Sequence, residues 1–169
     1  MNVRTYSFGF IDDVAMSAQA NPRRRLHANL HASYQDPVQR LFNAIGTDSY
    51  IRPHRHLGPR ADEFLMAVRG VFTLVLFDDE GNVLDCRRFG SDAHRRDADC
   101  LAVEIRTDTW HTVLAEEPGS VLFEVKAGPF DPDQAKSFAP WAPAEGSDAA
   151  MAYLGALRAA VDARIACAG

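Results

Sequence analysis

Between residues 49 and 128, short apolar runs alternate with turn-forming residues, and this rhythm constrains the fold more than any other feature of the chain. Tyr50 and Ile51 precede a proline, and apolar runs follow at 64–68, 71–77, 83–89, 100–105, 110–115 and 120–125. Arg69-Gly70, Asp79-Glu80-Gly81-Asn82 and Glu116-Glu117-Pro118-Gly119 punctuate them with residues that tolerate tight turns, so 71–77 returns from 64–68 at Arg69-Gly70. Runs of this length read as strands rather than core helices. In 71–77, Phe72, Leu74 and Leu76 fall on one side, with Val71, Thr73, Val75 and Phe77 on the other. Several such strands at regular spacing predict a mainly β sandwich or barrel.

The flanks differ. Residues 1–48 form a mixed arm with one helix signal, in which Asp36-Pro37 reads as an N-cap and first turn. Val38, Leu41, Phe42 and Ile45 then recur at helical spacing, and Gly46 stops the run. Residues 129–146 are rich in proline and small residues and read as an extended crossing segment whose Phe130, Phe138 and Trp141 pack on the body. Residues 147–169 predict a terminal helix with a stripe of Met151, Leu154, Leu157, Ala160, Val161 and Ile165. The whole, 1–169, reads as one domain, with 49–128 as its core.

The net charge of −5 argues against nucleic acid, and Arg23-Arg24-Arg25 is too short a run to overrule it. Cys86, Cys100 and Cys167 are odd in number and lack metal-type spacing, so they read as reduced, buried small hydrophobes. The opening residues lack a secretory apolar run, and no stretch suits a bilayer, so a cytoplasmic protein with no membrane partner is expected.

Chemistry concentrates in Pro53-His54-Arg55-His56. Residues two apart on an extended chain point the same way, so His54 and His56 aim at one point. Six residues separate His56 from Glu63, six more separate Glu63 from Gly70, and Trp110-His111 follows in a later strand. Alone, each element suits a surface or core residue. Together, closed into a barrel, three imidazoles and one carboxylate suit one divalent transition metal: Zn, Fe, Mn or Ni.

Other polar residues surround this set. His27, Asn29 and His31 alternate on one strand face or lie within one helical turn, as an arm over the pocket or a solvated edge; His27 fits the edge better. Arg40, Arg52, Arg106 and Lys126 lie within or beside apolar segments, where they either bind a phosphate or carboxylate or pair with Glu104 and Glu124. Tyr50 and Trp110 belong to the pocket or the core, and His94 to a solvated loop. The candidate contacts to a small, anionic ligand are Tyr50, Arg52, His31, Arg40 and Lys126.

The pattern Gly46…His54-x-His56…Glu63…Gly70 resembles the first cupin motif, with His111 in the place of the second-motif histidine. Gly46 lies farther from the histidines than in that pattern, the loop before Glu63 is longer, and Arg106-Thr107-Asp108-Thr109 replaces the usual proline and glycine. Residues 23–146 also resemble the WbuC family of cupin-fold metalloproteins, most specifically in the segment RRRLHANLHASYQDPVQRLFNAIGTDSYIRPHRH and in Phe138-Ala139-Pro140-Trp141-Ala142-Pro143. The resemblance implies a double-stranded β-helix (jelly-roll barrel) holding a metal, and a link to O-antigen or other surface-polysaccharide biosynthesis. It implies a sugar or sugar-nucleotide ligand, with isomerisation or epimerisation as the reaction. A metal-dependent dioxygenase and a non-catalytic binding module are the alternatives. A homodimer is compatible with this family.

Overall fold

The computed structural model describes residues 3–59, 61–131 and 136–168. Residues 132–135 of the expected crossing segment, and residue 60 of the loop before Glu63, lie outside that range. Two antiparallel five-stranded sheets face each other. The first runs in the order β1 (Arg25–Asn29), β2 (Val38–Ile45), β9 (Ser120–Ala127), β4 (Glu63–Arg69), β7 (Ala102–Ile105). The second runs β10 (Ser137–Phe138), β3 (His54–Arg55), β8 (His111–Ala115), β5 (Val71–Phe77), β6 (Val83–Gly90). Helix α1 (Phe8–Ala20) lies on the first sheet, packing Ile11, Val14, Ala15 and Ala18 on Ala44 and Val121. Helix α2 (Asp148–Ala168) packs Ala150, Leu154, Leu157 and Val161 against Val75, Phe77, Trp110 and Leu114 of the second sheet.

The alternation expected within 71–77 holds. Phe72, Leu74 and Leu76 pack in the space between the sheets with Ile45, Leu65, Phe89 and Leu122, whereas Val75 and Phe77 meet α2. The expected return at Arg69-Gly70 takes a different form. β4 and β5 do not pair, because the chain crosses there from one sheet to the other. Gly70 has φ +78°, and a Cβ at this point would lie 2.2 Å from Ser120 Oγ and 3.0 Å from Ser120 Cβ. Gly70→Ala should therefore cost about 1–3 kcal/mol, read as a lower midpoint in denaturant; an unchanged midpoint would show that the crossing has slack.

Other expectations are corrected as well. The N-terminal helix lies at Phe8–Ala20, begun by Ser7, whose side chain accepts from the Phe10 N–H. Val38–Ile45 is instead a strand, paired along its length with β9 and over Leu41–Ile45 with β1. Its helical spacing is a coincidence of two periods: Leu41 and Ile45 face inward, while Phe42 faces out to the rings of Tyr6, Phe10 and Phe123. In α2, Met151 is 56% exposed and Ala160 is also exposed, while Ala150 takes a core place that the expected stripe did not include. The thiols are not buried either: Cys86 is half-buried, and Cys100 and Cys167 are exposed. Cys100 precedes β7 in a connection, and Cys167 follows Ile165, which still touches the core. In the crossing segment Trp141 packs on Phe77 and Trp110, and Phe130 on Tyr34, but Phe138 stays 48% exposed. Among the described residues, no helix is long and apolar enough to cross a membrane.

Candidate metal centre

β3 is only two residues long, yet its place between β10 and β8 sets the site. His54 lies directly opposite His111 in the antiparallel register, a pairing that brings side chains on one face together. Their ring centroids are 4.5 Å apart. His56 follows two residues after His54, and its ring centroid lies 5.1 Å from that of His54. Glu63 comes from the opposite sheet as the first residue of β4. The ligating nitrogens of the three histidines all lie within 4.8 Å of one another. Glu63 Oε2 lies 3.6 Å from His56 Nε2 and 3.5 Å from His111 Nε2. All four residues are buried.

Hydrogen bonds orient two of the rings. His54 Nδ1 is 2.9 Å from the Arg52 carbonyl oxygen, and His111 Nδ1 is 2.8 Å from that of Thr109. A carbonyl only accepts, so both Nδ1 atoms carry the proton, which leaves the Nε2 atoms for the site, and His111 Nε2 faces Glu63. His111 Nε2 is buried and has no hydrogen-bond partner among the described residues. Three imidazoles and a carboxylate that converge in a buried space form a donor set that a cation between them satisfies. A divalent metal with affinity for imidazole and carboxylate fits this donor set. Such an ion supplies Lewis-acid polarisation of a bound oxygen when it is present.

The electrostatics agree with this donor set. Burial, with Lys136, His111 and His56 nearby, holds the His54 imidazole well below its ordinary value and therefore neutral. Burial acts to raise the Glu63 carboxyl, but the adjoining His111 and His56 rings and the Lys126 charge outweigh it and keep the group ionised. Burial also acts against the Lys126 ammonium, and Glu124 and Glu63 overcome it. Both groups set the acid response of the fold. Below pH 6.5, the ordinary histidine value, the unfolded chain takes up a proton that folded His54 refuses, so stability falls with pH. Glu63 adds a loss of the same sign below its ordinary value of 4.5. The melting temperature should drop from about pH 7 to about pH 4, with metal released over the same range as protons compete for the ligands. A flat profile would contradict a His54 held neutral in the fold.

A cavity of about 270 Å³ opens beside the four residues; His54, His111 and Glu63 border it, and strands β1, β2 and β9 form much of its wall. Two of the five expected ligand contacts reach it. Lys126 lies 2.5 Å from Glu124 and 3.5 Å from Glu63. His31 is 8% exposed, and its Nδ1 accepts the Arg40 backbone N–H at 3.0 Å. The other three are elsewhere. Arg40 alternates with the inward-facing Gln39 and Leu41, so it turns outward and pairs with Asp36 at 3.5 Å. Arg52 precedes β3, where strand alternation no longer holds, and its guanidinium donates to the Ala139 carbonyl at 2.7 Å. Tyr50 belongs to the core beneath α2, its hydroxyl donating to the Pro143 carbonyl at 2.9 Å. Trp110 is core as well, and Arg106 pairs with Asp62 and Glu104. His94 sits on a connection, 3.0 Å from Glu117.

Sequence reasoning did not single out Asn43, Gln39, Arg25 or Lys136, which also line the cavity. Reading 38–45 as a strand would have found the first two, since Gln39, Leu41 and Asn43 alternate. His27 stands on the cavity wall, opposite Asn43 in register, while keeping solvent contact. Burial and the charges of Lys136 and Lys126 push its imidazole below the ordinary value. No local signal marks Lys136, which the approach to β10 brings in.

Fold and site together define a small jelly-roll barrel of the cupin type with a three-histidine, one-glutamate cluster between its sheets. Residues 8–89, just under half of the chain, match a family described as a domain of unknown function, DUF6016. No curated protein matches the chain. Among solved structures, protein SO0799 from Shewanella oneidensis is similar at 13% identity and a TM-score of 0.53, over 66% of this chain and 72% of that one. KdgF from a Halomonas species aligns at 21% identity and a TM-score of 0.47, over 67% of this chain and 84% of its own. A mutant of Bacillus subtilis oxalate decarboxylase OxdC aligns at 12% identity and a TM-score of 0.48, over 68% of this chain and 27% of its own.

Proposed function

We propose that this barrel binds one divalent transition metal through His54, His56, Glu63 and His111 and uses it on a small, oxygen-rich molecule. The reading goes further to a sugar or sugar nucleotide in the biosynthesis of O-antigen or another surface polysaccharide, isomerised or epimerised at the metal. The observation that carries the metal is the convergence of three imidazoles on a buried carboxylate. The polysaccharide role rests on the resemblance of residues 23–146 to the WbuC family. Lys126 and Lys136, on the wall of the same cavity, favour an anionic ligand. Lys126 would draw such a group in while holding Glu63 and Glu124 in place.

The test is incubation of the metal-loaded chain in deuterated water with aldose–ketose pairs and sugar nucleotides, followed by proton NMR. Deuterium uptake or isomer formation that His54→Ala abolishes supports the enzyme. Oxygen consumption by the iron-loaded chain with these compounds would replace isomerisation with a dioxygenase. Saturable binding without turnover would assign a non-catalytic module, and neither binding nor turnover would overturn the small-molecule role.

A further inference from the structure

The wall provided by β1 and β2 carries polar chemistry that metal ligation leaves unused. Arg40 places its N–H and carbonyl on the β1 side. The carbonyl accepts the Leu30 N–H at 2.8 Å, and the N–H donates to His31 Nδ1 at 3.0 Å. His31 Nδ1 also lies 3.0 Å from the Arg40 carbonyl oxygen, so it is held by the Arg40 backbone in either tautomer, and Nε2 is a donor in one and an acceptor in the other. That Nε2 is buried and has no hydrogen-bond partner among the described residues, on a residue 8% exposed. Asn43 is 7% exposed, and its Oδ1 is likewise buried without a partner. Both residues line the cavity that His54, His111 and Glu63 border. Buried polar groups in folded proteins nearly always have a partner, so two orphaned polar atoms on residues that line one cavity mark places for ligand atoms, and a hydroxyl, which both donates and accepts, serves either.

Size and charge narrow the ligand. A cavity of about 270 Å³ lies at the small end of ligand pockets, a size that suits a single sugar or sugar acid. Lys126 and Lys136 favour an anionic end, and an acceptor such as Asn43 Oδ1 asks for a hydroxyl.

We propose that His31 and Asn43 form a hydroxyl-reading subsite, and that the cavity takes a polyhydroxylated carboxylate of about six carbons. Its hydroxyls lie against His31 and Asn43 and its carboxylate toward the lysines and the metal. The carboxylate end rests on the metal-site reading above; the hydroxyl end stands on the two orphaned atoms.

Calorimetric titration of the zinc-loaded full chain with D-gluconate, D-galacturonate, D-glucitol and hexanoate tests this, with zinc content measured on the same samples. At least one hydroxy acid should bind about tenfold or more tightly than both glucitol, which lacks the charge, and hexanoate, which lacks the hydroxyls. His31→Asn keeps a polar group beside the Arg40 backbone but removes the Nε2 atom, and Asn43→Leu removes the acceptor. Each should weaken the hydroxy acid by about tenfold, with hexanoate binding, zinc content and melting temperature unchanged. His31→Gln, which restores a polar group farther along the side chain, should recover part of the loss. If zinc is bound but the hydroxy acids bind no better than glucitol or hexanoate, or none of the four binds, the subsite is refuted while the metal reading stands. If the chain takes up no zinc, the metal reading itself fails.

Discussion

His54→Ala and His111→Ala should each strip the barrel of its metal and lower its melting temperature by several degrees. The two residues face each other across the β3–β8 pair, with ring centroids 4.5 Å apart, and each Nδ1 is held by a backbone carbonyl. Removing either ring takes away a preorganised donor that the remaining three residues cannot replace. A metal at 100 times its dissociation constant stabilises a fold by about 2.7 kcal/mol. In a domain of this size each kcal/mol is worth about 2–4 °C, so loss of the metal contribution should lower the melting temperature by about 5–11 °C. His111 is 1% exposed in a central strand and leaves the larger void. Melting curves with and without a chelator separate the two effects. The wild type should lose stability on chelation, and the variants should not respond. Variants that keep full metal content and the wild-type melting temperature would refute the ligand assignment.

Lys126→Met should be more damaging to the metal-free chain than to the metal-loaded one. The lysine Nζ lies 2.5 Å from Glu124 and 3.5 Å from Glu63, and both carboxylates are buried. Breaking a buried ion pair by removing one partner costs about 3–5 kcal/mol, because the other charge stays uncompensated. That corresponds to a loss of about 6–20 °C. A bound metal neutralises Glu63 and should return part of the stability. Burial and the Glu63 charge already raise the Glu124 carboxyl, against the pull of Lys126. Without the lysine it should take up a proton more readily, and the double variant Lys126→Met, Glu124→Gln should regain most of the loss. If the single variant melts with the wild type at neutral pH, Lys126 is not the counter-charge of this cavity.

How much could be read in the chain follows from the range over which each signal acts. Strands β4 to β9 were legible because short apolar runs and their turns are local events. The four candidate ligands were legible because His-x-His in an extended chain fixes two directions at once, and register completes them. Signals shared by two structures misled. Val38, Leu41, Phe42 and Ile45 satisfy a helical period, but β1 and β9 offer backbone partners on both sides, and pairing prevails. The crossing at Gly70 was read as a return, since a tight turn does not reveal which sheet its second strand joins. Tyr50 suited pocket or core alike and lies in the core, and Arg52, beside an apolar run, donates to a backbone carbonyl, because composition alone does not tell which way a residue next to a two-residue strand points. Lys136 depends on where the chain travels after β9, a purely tertiary matter.

The most direct test of the central claim is elemental analysis of the full chain, purified without a metal-binding tag and dialysed against metal-free buffer. The account predicts about one equivalent of zinc, iron, manganese or nickel per chain, falling to a small fraction in His54→Ala and His111→Ala. A metal-free wild type that takes up none of these ions on soaking and gains no thermal stability from them would contradict it. His54, His56, Glu63 and His111 would then be a buried polar cluster that binds no ion.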